Sequence, residues 1–393
     1  MGTLGGFALP FGPPPASSSP LALLGLAKPS REWCAAGEGG REAPGAGRVA
    51  GRPEVPAGGR AGGLPTRVHS GTLGGFAPRF GHHAILAKGR SLRHNRDVLP
   101  TPSTSPPKTV WAVLDVVRWT TAHFEKHGLT SARLDAELLA AHAFGMSRIE
   151  LYAHFDRPLA AAELASYRDL VSRRLAGQPV AYLLGHKEFW SLDLLVDPRV
   201  LIPRPDSETL VEEAFDRLAD PAAALRIADV GTGSGALALA LAKERPEAQV
   251  FATDISPDAL AVARANAERL GLAITFIQGD LDQPLALAGP FDLIVANLPY
   301  IPSADIDGLA ADVRSEPRLA LDGGADGLVL VRRLVAGAPD LLQPGGCLAL
   351  EVGAGQAGAV KQLLRAVGFG GVRSRQDLAG IERVVSGVKG TSS

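Results

Sequence analysis

From Thr109 onward, hydrophobic positions recur with helical spacing. Val110, Val113, Leu114 and Val117 share one face, as do Leu134, Leu138 and Ala141, and later Leu164, Tyr167, Val171 and Leu175. The spacing predicts a small helical bundle ending near Gly177. From about Leu225 the rhythm changes. Short apolar runs at 225–230, 249–253, 273–277, 291–296 and 346–352 alternate with helical stretches such as 236–244 and 257–270. Such alternation predicts an α/β fold, a mostly parallel sheet with helices on both faces. A last pair of runs, near 372–375 and 382–385, predicts a closing hairpin.

Ahead of residue 109 there is no such rhythm. Gly, Pro, Ala, Ser and Arg dominate, and runs such as Gly12-Pro13-Pro14-Pro15 preclude regular structure. GTLGGFALPFG at 2–12 returns as GTLGGFAPRFG at 71–81, two copies too few and too glycine-rich for a solenoid. Three readings fit this segment: a disordered extension, an organellar transit peptide, or translated upstream sequence. The methionines are Met1 and Met146, so an internal start near residue 100 would need a different codon.

Composition narrows the function classes. No apolar run approaches the roughly 18 residues a membrane span needs. Cys34 and Cys347 are the two cysteines. They form neither a disulfide framework nor a zinc cluster, which points to a reducing compartment: the cytoplasm, or an organelle if the first segment is a transit peptide. His82-His83 have no partner ligand at useful spacing, so no metal is expected. Residues 1–108 carry a net charge of +8 and residues 109–393 carry −9. An acidic body is a poor start for an enzyme that must neutralise phosphates.

The candidate chemistry begins at Asp229-Val230-Gly231-Thr232-Gly233-Ser234-Gly235, between an apolar strand and a helix. Glycines there allow a tight turn and let a ligand approach backbone N–H groups at a helix start. The loop alone leaves the ligand open. Gly231, Gly233 and Ala236 also match a dinucleotide pattern, and Asp254 falls where a carboxylate could accept ribose hydroxyls in either case. Ser256 before Pro257 reads as the cap of the next helix. Asn297-Leu298-Pro299-Tyr300 follows the strand at 291–296, at the carboxyl edge where open α/β sheets bind ligands. An amide nitrogen is a poor nucleophile, so methylating one calls for acceptors on both its hydrogens and a flat wall. The Asn297 side-chain oxygen and the Leu298 carbonyl can be those acceptors, with Pro299 stiffening the turn and Tyr300 as the wall.

A family resemblance rests on further blocks. Glu188-Phe189-Trp190-Ser191 followed by Leu201-Ile202-Pro203-Arg204-Pro205-Asp206-Ser207-Glu208 resembles the linker signature of the release-factor glutamine N5-methyltransferases, the HemK family. Gly177-Gln178-Pro179-Val180-Ala181-Tyr182-Leu183-Leu184-Gly185, Asp312-Val313-Arg314-Ser315-Glu316-Pro317 and Asp377-Leu378-Ala379-Gly380-Ile381-Glu382-Arg383 are similar to other family blocks, in family order. One position departs: the usual Asn-Pro-Pro-Tyr is here Asn297-Leu298-Pro299-Tyr300.

The resemblance implies a Rossmann-like, seven-stranded methyltransferase sheet with a terminal hairpin, preceded by a helical bundle that docks the release factor. It implies S-adenosyl-L-methionine as cofactor, S-adenosyl-L-homocysteine as product, and the glutamine of a Gly-Gly-Gln loop as methyl acceptor. The cofactor would meet Gly231, Thr232, Gly233, Ser234, Gly235, Asp254, Asp280, Leu281 and Asn297. Substrate would meet Asn297, Leu298, Pro299 and Tyr300, with Asn297 and Tyr300 catalytic. The expected division is 1–108 extension, 109–185 docking domain, 186–205 linker, 206–388 methyltransferase domain and 389–393 tail, in a monomer needing no nucleic acid, membrane or metal. The alternative activity is adenine-N6 methylation of DNA or RNA, which uses the same four-residue logic.

A chain begun near Pro100 is expected to fold and to retain methyl transfer, because the removed segment has little apolar surface to bury. Circular dichroism and a transfer assay on that shortened protein check this. Loss of either property would mean that the segment packs on the body.

Overall fold

A computed structural model describes residues 110–218 and 224–391. The segment before Val110, with its near-repeat, Cys34 and the histidine pair, lies outside the described residues. The helical rhythm produces α1 (Val113–Lys126), α2 (Ala132–Phe144), α3 (Arg148–Ala153), α4 (Ala161–Leu175) and α5 (Val180–Leu184). Val113, Val117, Phe124, Leu139, Tyr167 and Val171 fill their shared core.

One expected face is wrong. Leu134 is 45% exposed, and α2 instead packs Ala132, Ala136, Leu139 and Ala140 inward. The cause is that α2 buries Asp135 and Glu137 on its inner side. Asp135 accepts from Arg174 Nε at 2.8 Å, and Glu137 pairs with Arg133 at 2.9 Å and Arg148 at 2.6 Å. Counting apolar letters alone assigns paired carboxylates to the solvent side. Val110, also placed on the α1 face, is 63% exposed.

The segment read as a linker contains a hairpin, β1 (His186–Phe189) and β2 (Leu192–Leu195). Trp190 and Ser191 form its two-residue turn with φ of 51° and 53°, a conformation usually given to glycine. The turn is held from outside, since Trp190 N–H donates to Glu208 Oε1 at 2.9 Å. A short 3₁₀ turn, Pro205–Ser207, then leads into α6 (Glu208–Arg217).

The sheet comprises β3 (Arg226–Val230), β4 (Gln249–Asp254), β5 (Ile274–Gln278), β6 (Phe291–Ala296), β7 (Leu342–Glu351), β8 (Phe369–Gln376) and β9 (Glu382–Lys389). Their order is β5-β4-β3-β6-β7-β9-β8. Neighbouring strands from β3 to β7 pair in parallel, and β9 is antiparallel to both β7 and β8, which makes the expected closing hairpin. Around the sheet lie α7 (Ala236–Glu244), α8 (Pro257–Leu270), α9 (Ala311–Arg314), α10 (Val329–Leu341) and α11 (Ala357–Ala366). Successive strand residues serve opposite layers. Ala228, Ile294, Ala296, Leu348 and Leu350 meet α10 and α11. Ile227, Leu293, Val295, Cys347 and Ala349 meet α6 and α7. Among the described residues no helix is long and apolar enough to cross a membrane.

Helices α7 and α8 begin and end where the sequence puts them. Ser256 Oγ accepts from Ala259 N–H at 3.1 Å, with Pro257 in the first turn. Strand β7 starts at Leu342 rather than 346, because Leu342 already pairs with Phe291 ahead of an irregularity in register.

The block at 312–316 fastens the bundle to the sheet. Arg174, 8% exposed, reaches Asp135 and, at 3.2 Å, Asp312. Ser315 Oγ donates to the Gly177 carbonyl at 3.1 Å, and a Cβ on Gly177 would sit 3.1 Å from that of Ala311. Glu316 accepts from Ile202 N–H at 3.0 Å and pairs with Arg204. Removing one partner of a buried ion pair leaves the other uncompensated, at a cost of about 3–5 kcal/mol. Asp135→Ala is therefore expected to lower the unfolding free energy measured by urea titration by that order, and Asp312→Ala by less, since Asp312 is 35% exposed at its side chain. Equal values for Asp135→Ala and the parent would mean that Arg174 finds another partner.

Candidate active site

Four strand ends converge on one edge of the sheet, where the strand order reverses between β3 and its neighbours β4 and β6. After β3 the loop passes through Gly231, Gly233 and Gly235 at φ of 75°, 56° and 86°. The N–H groups of Gly231 and Thr232 both donate to the Thr253 carbonyl at 2.9 Å, which pins the loop to β4. Asp229 is fully buried beneath it. Its Oδ2 accepts from Thr232 Oγ1 at 2.6 Å and from Ala238 N–H at 3.2 Å, while Oδ1 has no partner. Burial pushes this carboxyl up to about 7, against the pull of Thr232 and Ala238.

A cavity of about 300 Å³ opens over the loop. A Cβ on Gly233 would meet nothing within 4 Å. Asp254, ending β4, accepts from Gly233 N–H through Oδ2 and from Ser256 N–H through Oδ1, both at 2.9 Å. Burial raises its pKa, and these backbone donors oppose the rise. Beyond β5, Leu281 sits at φ 52°, its carbonyl accepting from Thr253 Oγ1 at 3.1 Å. Gly279 is required beside it, since a Cβ would lie 2.8 Å from Pro284. Asp280 is paired with Arg333 Nη2 at 2.6 Å.

Beyond β6, Asn297 Nδ2 donates to Ser207 Oγ at 3.1 Å. Leu298 turns its side chain into the core, over Gly231, where a Cβ would be 3.0 Å from Leu298 Cδ2. Leucine thus keeps the backbone carbonyl of the motif and adds a packing contact. Gln356 Nε2 donates to the Tyr300 carbonyl at 2.9 Å and holds the end of the loop.

Of the residues singled out in sequence, Gly231, Thr232, Gly233, Ser234, Asp254, Asp280, Leu281, Asn297, Leu298 and Pro299 line the cavity. Gly235 and Tyr300 do not. A Cβ on Gly235 would press on Leu239 and Ala263, so that glycine serves helix packing. Tyr300 lies behind the wall, its ring close to Gly353. Ser207 and Arg333, not marked as site residues by the sequence, also line the cavity. In sequence Ser207 figured as part of the linker block, just ahead of α6. It makes no cap bond and holds Asn297 instead. Nothing in the local sequence of α10 marks Arg333.

Residues 115–185 match the family model described as PrmC N-terminal domain, and residues 227–315 match one described as Methyltransferase domain. The release factor glutamine methyltransferase of Geobacter sulfurreducens is 47% identical over 279 residues, which are 71% of this chain and 97% of that protein. That of Moorella thermoacetica is 54% identical over 243 residues, 61% of this chain and 85% of its own. Among solved structures, a methyltransferase from Pyrococcus furiosus is 20% identical over 57% of this chain and 99% of its own, with a TM-score of 0.38.

Asp229 generates a pH prediction. In the unfolded chain it ionises near pH 4, whereas in the folded protein it keeps its proton to about pH 7. Between these values the folded state binds the extra proton, so stability falls as pH rises through the window and levels off above it. Asp229→Asn removes this titration. Its melting temperature, measured without cofactor from pH 5 to 8, is expected to decline less steeply than the parent's. Parallel declines would mean that Asp229 is ionised throughout.

Proposed function

Because the chain belongs to the release factor glutamine methyltransferase family, we propose that it methylates the side-chain amide nitrogen, N5, of a glutamine in a peptide-chain release factor, using S-adenosyl-L-methionine. The observation that carries this reading is the placement of Asn297 and Leu298 on the cavity wall at the end of β6. The amine end of Asn297 is tied to Ser207, which leaves its oxygen for a ligand. That oxygen and the Leu298 carbonyl form a pair of acceptors matching the two hydrogens of a primary amide.

The residues present fit the cofactor. Gly233 faces open space, Asp254 presents a carboxylate on the same wall, and both belong to the crevice at the strand-order reversal. When bound, S-adenosyl-L-methionine supplies an electrophilic methyl group on a sulfonium. Thr232, Gly233 and Ser234 would border its methionine portion, Asp254 the ribose hydroxyls, and Asp280 with Leu281 the adenine. Asn297 and Leu298 would fix the amide in line with the methyl, with Pro299 stiffening their turn and Tyr300 limiting its movement from behind. The amide nitrogen has its lone pair delocalised into its carbonyl, so orientation and electrostatics supply most of the acceleration. The Gly-Gly-Gln glutamine of the release factor is the acceptor that this reading selects.

Asn297→Ala is expected to cut turnover roughly a hundredfold or more, the scale of losing one oriented polar contact to the reacting group. Binding of S-adenosyl-L-homocysteine, measured by calorimetry, is expected to stay within a fewfold. Asn297→Asp places a charge that favours the sulfonium before transfer over the neutral product after it, and turnover should fall while the fold persists. Mass spectrometry of release factor incubated with enzyme and labelled cofactor locates the methyl group. A methyl on any other residue, or parental turnover in Asn297→Ala, sinks the assignment.

A further inference from the structure

Strand β7 carries a carboxyl where its neighbours in sequence are apolar. Glu351 ends the strand after Leu348, Ala349 and Leu350, and is 2% exposed. Its Oε2 has no hydrogen-bond partner. Leu350 pairs with Ala296 across the parallel strands, so Glu351 lies alongside Asn297. Burial pushes its carboxyl up to about 7, opposed by hydrogen bonding from Ser207, by the Arg383 guanidinium, and by the Asn297 amide. Packing gives no reason for a carboxyl here, because a leucine would fill the place without a desolvation cost.

We propose that Glu351 is a positioning residue that sets which end of the Asn297 amide faces the cavity, acting directly and through Ser207. This rests on the reading that the Asn297 oxygen receives an N–H of the substrate amide. An ionised carboxylate can only accept hydrogen bonds. The Ser207 hydroxyl therefore donates to it, and the remaining lone pair of Ser207 accepts from Asn297 Nδ2, the bond seen at 3.1 Å. With its amine end held by Ser207 and Glu351 lying alongside, Asn297 shows its oxygen to the ligand.

Protonation reverses the chain of donors. A neutral Glu351 donates to Ser207, and the freed Ser207 proton then suits the oxygen end of Asn297 as well as the amine end. A rotated Asn297 opposes the substrate NH₂ with another NH₂, and the amide is no longer aligned. The charged and titratable groups around Glu351 are Arg383 from β9, Asp206 from the turn before α6, and Tyr300 from the loop after β6. Arg383 favours the ionised form and Asp206 opposes it. Arg383 is itself committed to Asp377 at 2.9 Å and Asp206 at 3.2 Å, which fixes its charge beside Glu351.

The test compares Glu351→Gln, Glu351→Asp and Asn297→Ala with the parent, each with release factor and S-adenosyl-L-methionine across pH 6 to 9. Glu351→Gln has the same shape but can donate. It is expected to lose at least tenfold in kcat, with S-adenosyl-L-homocysteine affinity within threefold and a melting temperature at pH 8 no lower than the parent's. The parent's kcat should rise with pH through an ionisation near neutrality, and that limb should vanish in Glu351→Gln. Glu351→Asp, which keeps an acceptor-only group, should recover part of the kcat and the pH limb. If Glu351→Gln keeps the parental kcat and pH profile while Asn297→Ala is inactive, the positioning role is overturned and the reading of the site stands. If Asn297→Ala is itself fully active, both fall together.

Discussion

Strands β3 and β6 alternate their side chains between two helical layers, so a polar group placed along either strand would be buried on whichever side it faced. Polar atoms can gather only where the chain leaves the sheet, and the parallel run of β3 to β7 brings those exits to one edge. The reversal of strand order opens a crevice between them. The glycine loop, Asp254, Asp280 and Asn297 are what the chain places at four successive exits. Asp229 and Glu351 are the exceptions, carboxyls that enter the buried zone near the strand ends. Each keeps one oxygen without a partner and is pushed up to about 7.

Much of this was legible in the sequence. Helices α7 and α8 could be bounded because their punctuation is local: Gly235 before one, Ser256-Pro257 before the other. Strand β6 was readable as an uninterrupted apolar run, and with it the position of Asn297. The inner face of α2 was not readable, because burial of Asp135 and Glu137 depends on Arg174, Arg133 and Arg148, two of which come from other helices. The β1–β2 hairpin stayed hidden because its turn uses Trp190 and Ser191 in a conformation that lacks the usual glycine signal. Tyr300 illustrates a different limit: adjacency in a motif does not tell which way the next ring points. Glu351 did carry a signal, a single acid closing an apolar strand, whose meaning depends on a neighbour about fifty residues away in the chain.

The sequence blocks behind the family resemblance also have a physical reading. They are far apart in the chain and meet at two joints. At one, Asp312 and Ser315 tie the sheet domain to Arg174 and Gly177 of the bundle. At the other, the turn after Arg204 delivers Ser207 to Asn297, while Arg204 itself is held by Glu316. The linker is thus a structural part of the site's back wall, and the bundle is fixed in register with it.

Leu298 resting on Gly231 couples the two loops that the exits of β3 and β6 supply. A side chain added at 231 would press on Leu298 Cδ2 and would have to adopt a φ of 75°. A smaller residue at 298 would free that space but would leave a void in the core that Leu298 now fills. Relief at 298 would remove the contact but not the backbone strain, so the shape of the glycine loop is secured twice, by the neighbouring leucine and by a conformation that side chains rarely adopt.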